Sequence, residues 1–166
     1  MAASGIRYTP LPMNVTCTRR LQFCAGHRVM GHESKCAHLH GHNYVVRVTA
    51  EASLDLIGRV IDFSVLKARI GGWIDANWDH GFLVHEGDRA ALTAIEAFEA
   101  KETSLSPRDR PAFAQKVYRL PYNPTAENMA RYLLEVIGPK LLHGTGVRIT
   151  KVEVDETENC AAEASL

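Results

Sequence analysis

The chain has 166 residues, enough for one domain with an ordinary hydrophobic core and too few to favour two. Its 19 basic and 19 acidic side chains cancel, which argues against nucleic acid or an acidic membrane as a partner, because both require a basic patch. No apolar run approaches the roughly 20 residues that cross a bilayer, and the first residues lack the basic start and apolar stretch of a secretory signal. We therefore expect one cytoplasmic domain spanning residues 1–166.

Two strands joined by a polar loop are predicted in the first third of the chain. Residues 13–25 alternate approximately between apolar and polar side chains, as a strand with one buried face does. Residues 43–52 alternate again and are expected to pair antiparallel with the first strand. The loop between them is rich in glycine and polar groups, and five of the eight histidines of the chain fall between positions 27 and 42.

Two helices are predicted further along the chain. The first is capped by Asp62 or Ser64, carries an apolar stripe and ends near Asn77. The second is capped by Thr125 and is expected to stop at the Gly-Pro pair 138–139, because proline does not continue a regular helix.

The other segments are less regular. Residues 86–121 are predicted to form an irregular surface excursion that includes a short helix and returns as a strand over 116–120. The last strand shows two phases of alternation, which a β-bulge near Thr150 or Lys151 reconciles.

The order of these elements predicts an α+β fold, with an antiparallel sheet covered on one face by helices. A small sheet of this kind has open edges, which can pair with other chains. We therefore expect the protein to form a homo-oligomer.

His40 and His42 are the first candidate metal ligands. Side chains two apart in an extended segment point the same way, so both imidazoles can meet one ion. His27 ends the first strand, and antiparallel pairing would bring it beside them. Three histidines with an open fourth position are typical of catalytic zinc, whereas the alternative is a set of histidines on a polar loop.

Cys36 lies four residues before His40 and has three interpretations. It is a fourth zinc ligand that closes the site, or a thiolate base or nucleophile, or a small buried hydrophobe. The last interpretation suits Cys17 and Cys24, which lie within a predicted strand, and suits Cys36 poorly because its neighbours are polar.

Asp79 and His80 form a second candidate pair just after the first helix. A carboxylate beside an imidazole raises the imidazole pKa and orients the ring for proton transfer. An Asp-His dipeptide is common, however, and Glu156 at the end of the last strand is ordinarily a solvated carboxylate.

Six motifs in order resemble those of the 6-pyruvoyltetrahydropterin synthase family. They are H-R-V at His27, C-A-H-L-H-G-H-N-Y from Cys36, V-I-D-F from Val60, D-H at Asp79, P-T-A-E-N from Pro124 and E-T at Glu156. Together they span most of the chain.

The resemblance implies the tunnelling fold, or T-fold, in which a four-stranded antiparallel sheet carries two helices on one face. Three subunits would close a barrel, and two such trimers would stack as a hexamer with sites between subunits. The resemblance also implies a set of site residues: zinc held by His27, His40 and His42, proton transfer by Cys36 and the Asp79–His80 pair, and a pterin held by Glu156 and Thr125.

Three residues separate Cys36 from His40, a spacing similar to that of the bacterial 6-carboxytetrahydropterin synthases of queuosine biosynthesis. This resemblance implies conversion of 7,8-dihydroneopterin triphosphate to 6-carboxytetrahydropterin, acetaldehyde and triphosphate. The 6-pyruvoyl activity is the alternative. A non-catalytic oligomer that binds zinc or a pterin is an alternative of another class.

The chain departs from the family pattern in one region. The segment between His80 and Pro124 is much longer than in compact bacterial enzymes, and Val84 stands where an asparagine commonly follows D-H-x-x-L. We expect the core chemistry to be retained and the rim of the active site to differ.

Overall fold

Strands β1 (Thr16–His27) and β2 (His40–Glu51) form the centre of the sheet. They pair antiparallel along their whole length, from Thr16 opposite Glu51 to His27 opposite His40. The structure is a computed structural model and describes residues 15–109 and 115–166. Both strands were predicted, although β2 begins three residues earlier than its alternation indicated, and residues 13 and 14 of the first prediction lie outside the described residues.

The sheet of the described residues has six strands rather than the four predicted. Beside β2 lie β5 (Arg148–Thr157) and then β6 (Cys160–Ser165), both antiparallel to their neighbours. Beside β1 lie β3 (Gly81–His85) and then β4 (Val117–Leu120), and these two pairings are parallel. The sequence did not reveal β3 or β6 because β3 is short and continuously apolar, while β6 is rich in alanine, which strands disfavour.

The predicted bulge in the last strand is confirmed. Thr49 lies opposite Lys151 and Ala50 lies opposite Ile149, so Thr150 is the extra residue on β5. Because of this extra residue, Ile149 before the bulge and Val152 and Val154 after it all face the core.

Two long helices cover one face of the sheet. Helix α1 spans 63–77 through the consecutive segments Phe63–Leu66, Lys67–Gly71 and Gly72–Asn77, and its predicted cap is present because Asp62 accepts a hydrogen bond from Ser64 N. The core between this helix, helix α3 at residues 126–142 and the sheet contains Leu66, Ile70, Ile74, Met129, Leu133, Ile137, Val46, Val48, Val152 and Val154.

Helix α3 spans 126–142 and does not stop where the sequence predicted. Its segments Ala126–Tyr132, Leu133–Ile137 and Gly138–Leu142 run on without a break past Pro139. Proline is tolerated because the π-type turn directly before it already departs from the regular i→i+4 hydrogen bonds. The predicted cap is confirmed, since Thr125 accepts a hydrogen bond from Asn128 N.

The excursion at 86–121 is more regular than predicted. Helix α2 (Arg89–Thr103) connects the parallel strands β3 and β4. Leu83 belongs to the core beneath α1 and α3, whereas Val84 packs with Ala91 and Leu92 of α2. Adjacent strand residues face opposite sides, so α2 covers the other face of the sheet. Val84, which stands where the family pattern commonly has an asparagine, therefore supplies an apolar contact for α2.

Asp88 fixes the start of α2. Its carboxylate accepts a hydrogen bond from Ala91 N and a bidentate pair from Arg28, which follows β1. Burial opposes ionisation of Asp88, but these donors outweigh it and lower its pKa. In the described part of the chain, no helix is both long and apolar enough to cross a membrane.

Two helical glycines give a matched test of the packing. A Cβ at Gly138 would lie 2.8 Å from Ile149 Cγ1 and 3.1 Å from Leu133 O, whereas a Cβ at Gly72 meets nothing within 4 Å. Both alanine variants gain about 1 kcal/mol of helix propensity. We expect Gly138→Ala to be less stable than Gly72→Ala by about 1–3 kcal/mol, the usual penalty of overpacking. Urea unfolding at one protein concentration measures the difference, and equal stability of the two variants would contradict the packing.

Candidate metal centre and proton-transfer pair

Three histidines converge where β1 ends and β2 begins. His27 lies opposite His40 and Ala25 lies opposite His42, so all three imidazoles share the core-facing side of the hairpin. One ring nitrogen from each histidine lies within 4.8 Å of those of the other two. The strands approach closely here, since a Cβ at Gly41 would lie 2.8 Å from Ala25 O. The structure thus brings together the three predicted metal ligands.

Hydrogen bonds to two carbonyls orient two of these rings. His27 Nδ1 lies 2.7 Å from Pro124 O, and His40 Nδ1 lies 2.8 Å from His38 O. Because a carbonyl only accepts, both Nδ1 atoms donate, and each Nε2 keeps its lone pair for a metal. Outer-shell bonds of this kind are typical of metal-binding histidines.

The spacing and the surroundings of the Nε2 atoms fit a zinc ion. His27 Nε2 and His40 Nε2 are 3.1 Å apart. Two nitrogens at 2.0–2.1 Å from a tetrahedral ion are separated by about 3.3 Å. His42 Nε2 is buried and has no hydrogen-bond partner among the described residues. A metal would satisfy that nitrogen.

Burial favours the uncharged form of the ligands. It lowers the pKa of His27 and of His42, and the neighbouring His40 lowers both further. The carboxylate of Glu156 works in the opposite direction, because its Oε1 lies 3.4 Å from His27 Nε2 and 3.7 Å from His42 Nε2. A neutral imidazole is the form that binds metal.

Cys36 lies beside this centre and is not part of the three-histidine group. It sits in the short 3-10 helix Lys35–Ala37 and lines a cavity of about 200 Å³ together with Thr125 and Glu156. Three predicted site residues therefore share one cavity, and Glu156 connects that cavity to the histidines. His32 and Glu127 line the same cavity, and the sequence analysis assigned neither to a site.

Asp79 and His80 form the predicted pair. His80 Nδ1 lies 2.7 Å from Asp79 Oδ2, and the His80 side chain is 78% exposed. Burial raises the pKa of Asp79, but the N–H of Cys24 and the imidazole of His80 outweigh it, so the net shift is downward. His80 has φ 54°, a conformation uncommon outside glycine. Lys116 Nζ donates to Asp79 O at 2.6 Å and holds the turn.

Sequence reasoning missed Cys24 as a neighbour of this pair. Cys24 Sγ lies 3.5 Å from His80 Nε2 and 3.8 Å from Asp79 Oδ1. The interpretation of Cys24 as a buried hydrophobe was wrong, because it is half-buried and out of phase with the buried Phe23 and Ala25. The alternation of the sequence could have indicated this, because Cys24 falls between the apolar residues Phe23 and Ala25 that face the core.

His80 lines a different cavity from that of Cys36. Cys24 and His80 line a cleft of about 530 Å³ that also borders His40 and His42. Cys36, Thr125 and Glu156 line the other cavity. A single chain therefore presents the predicted proton-transfer groups in two separate places.

Comparison with protein families and curated sequences gives consistent matches. A profile described as 6-pyruvoyl tetrahydropterin synthase matches residues 16–165. The 6-carboxy-5,6,7,8-tetrahydropterin synthase of Rickettsia bellii is 41% identical over 150 residues, covering 90% of this chain and 99% of the relative. The enzyme of the same name from Haemophilus influenzae is 26% identical, covering 88% and 95%.

Solved structures share the fold. An uncharacterised protein of Wolinella succinogenes superposes with a TM-score of 0.74 and 25% identity, covering 93% of this chain and 99% of the other. The 6-pyruvoyl tetrahydropterin synthase of Caenorhabditis elegans gives a TM-score of 0.59 and 23% identity, covering 93% and 96%. At 23% identity, the Caenorhabditis elegans structure shows only that the fold is shared.

His40 and His38 provide a matched test of the metal centre. His40→Ala removes one of three ligands, whereas His38 contributes only its backbone carbonyl, which His38→Ala retains. We expect His40→Ala to lose more than the roughly 10–100-fold in zinc affinity that removal of an outer-shell partner typically costs, and His38→Ala to bind as the wild type does. Zinc titration of the metal-free chains by calorimetry measures both, and equal affinities would contradict the ligand set.

Proposed function

We propose that this chain, which belongs to the 6-pyruvoyl tetrahydropterin synthase family, is a zinc-dependent 6-carboxy-5,6,7,8-tetrahydropterin synthase. The reaction converts 7,8-dihydroneopterin triphosphate to 6-carboxytetrahydropterin, acetaldehyde and triphosphate, within the biosynthesis of queuosine and other 7-deazapurines. The observation that carries the proposal is the group of three histidine nitrogens beside a cavity lined by Cys36 and Glu156. The name shared by relatives about 40% identical to this chain favours the carboxy activity over the pyruvoyl one.

His27, His40 and His42 would hold the zinc ion. A His₃ set leaves one coordination position for water or substrate, as catalytic zinc sites do. When bound there, zinc acts as a Lewis acid toward the hydroxyl groups of the substrate side chain. Cys36 lies outside the histidine group, which argues against a closed Cys-His₃ site and a purely structural metal.

Glu156 and Thr125 would bind the pterin ring. A carboxylate accepts hydrogen bonds from adjacent N–H groups of a heterocycle, and Glu156 reaches both the Cys36 cavity and the histidines. The hydroxyl of Thr125 accepts from Asn128 N and keeps its own proton to donate. Bound in this way, the ring places its side chain between Cys36 and the metal centre.

Cys36 and His80 would move protons. The Cys36 thiolate takes a proton from the first side-chain carbon of the substrate, and His80, oriented by Asp79, handles a hydroxyl proton as triphosphate leaves. Since these groups line different cavities of one chain, a complete site requires a neighbouring subunit to supply one of them.

This requirement supports the T-fold assembly implied by the sequence. The described sheet ends in β4 on one side and β6 on the other, and pairing with other subunits protects such edges. A ring of three subunits stacked as a hexamer would close the barrel and complete the sites. Residues 1–166 then act as one domain whose crossover helix α2 lies outside the core chemistry.

Product identification tests the function directly. The zinc-loaded chain is supplied with 7,8-dihydroneopterin triphosphate, and the products are separated and identified. We expect 6-carboxytetrahydropterin and acetaldehyde. A 6-pyruvoyl product would support the alternative activity, and a bound pterin without turnover would support a binding protein. Cys36→Ser and His80→Ala should each lower turnover by about 10²–10⁴-fold, because each removes one proton transfer, while zinc stays bound at the three-histidine centre.

Mixing the two inactive variants tests whether the site is shared. Coexpressed Cys36→Ser and His80→Ala chains should recover about a quarter of wild-type turnover, since one half of the sites receive Cys36 and one half of those receive His80 from a neighbour. Turnover of the mixed assembly against each variant alone is the measurement. No recovery would mean that each site is built from a single chain.

A further inference from the structure

A second cluster of metal-binding atoms lies on the face of β1 opposite the three histidines. Cys24, Asp79 and His80 each offer one donor atom, and these atoms lie within 4.8 Å of one another. Cys24 Sγ lies 3.5 Å from His80 Nε2 and 3.8 Å from Asp79 Oδ1. A tetrahedral zinc ion with a sulfur at about 2.3 Å and a nitrogen at about 2.0–2.1 Å separates the two donors by about 3.6 Å.

The backbone holds these side chains together independently of any ion. Cys24 N donates to Asp79 Oδ1 at 3.0 Å, and His80 N donates to Cys24 O at 2.7 Å. His80 Nδ1 contacts Asp79 Oδ2, which leaves Nε2 with its lone pair. The exposed ring can turn to direct Nε2 at an ion seated beside Sγ.

The donor chemistry selects the ion. A thiolate, a neutral imidazole and a carboxylate are the ligand types of zinc, whereas calcium and magnesium prefer oxygen alone. The thiolate and the carboxylate together carry the two negative charges that balance a divalent cation. Binding releases the proton of the Cys24 thiol to solvent.

We propose that Cys24, Asp79 and His80 form a second zinc site, and that zinc bound there removes His80 from proton transfer. Zinc binding stands on the geometry of the three residues. The loss of turnover rests on the proposed function, because it requires the catalytic role of His80. The second ion therefore acts as an inhibitor, and its site and the three-histidine centre fill separately.

Cobalt titration tests the site without reference to activity. The metal-free full chain is titrated with Co²⁺, whose coordination by a thiolate gives a charge-transfer band in the near ultraviolet. The wild type should bind about two equivalents per chain and develop the band. Cys24→Ser should bind one equivalent fewer and lack the band. Cys36→Ser is the matched control, since its thiol lies in the other cavity, and it should keep both the second equivalent and the band.

His80→Ala provides a second variant at an exposed position, and it should also lose the second equivalent. A wild type that binds one equivalent, or a band that persists in Cys24→Ser and disappears in Cys36→Ser, overturns the site.

Excess Zn²⁺ should inhibit turnover by the wild type and leave turnover by Cys24→Ser uninhibited. Two bound equivalents without inhibition overturn the inhibitory role. Absence of product in every chain contradicts the proposed function and leaves the cobalt result intact.

Discussion

The antiparallel register that sets His27 opposite His40 is the constraint on which the other features depend. Side chains on a strand alternate between faces, so a slip of one residue would turn His40 and His42 away from His27. The same slip would remove Tyr44 and Val46 from the core, where both are fully buried. Hydrophobic burial therefore fixes the register, and the register keeps the three imidazoles together.

Tyr44 links the two roles physically. Its ring stacks on Phe23 with centroids 5.0 Å apart and meets the rings of His27 and His42 edge-on at 5.9 and 5.6 Å. Burial raises its pKa, so the side chain stays an uncharged support beneath the imidazoles. Close packing of this kind limits how far the three imidazoles can move.

The opposite face of β1 has a different chemistry within a few residues. Cys24 faces the Asp79–His80 turn, whereas the histidines face the core, because the strand alternates. One strand thus contributes a candidate metal ligand on each side, His27 toward the core and Cys24 away from it. In the proposed assembly, the Asp79–His80 pair on the outward side would face a neighbouring chain and serve that chain's cavity.

Local spacing alone indicated the His40–His42 pair, the Asp79–His80 pair, the caps at Asp62 and Thr125, and the bulge near Thr150, whereas His27 joined the histidines only through the expected strand pairing. Apart from His27, these features depend on residues close in the chain, whose relative positions are fixed by the periods of strands and helices. Tertiary structure decided the remaining features of the fold and the site. In the fold, these are the parallel strand β3, the crossover helix α2 on the second face of the sheet, and the continuation of α3 past Pro139. In the site, they are the contact of Cys24 with His80 and the separation of Cys36 from the Asp79–His80 pair. These features arise from contacts between distant segments, and the free energy that selects them comes from packing that no local pattern records.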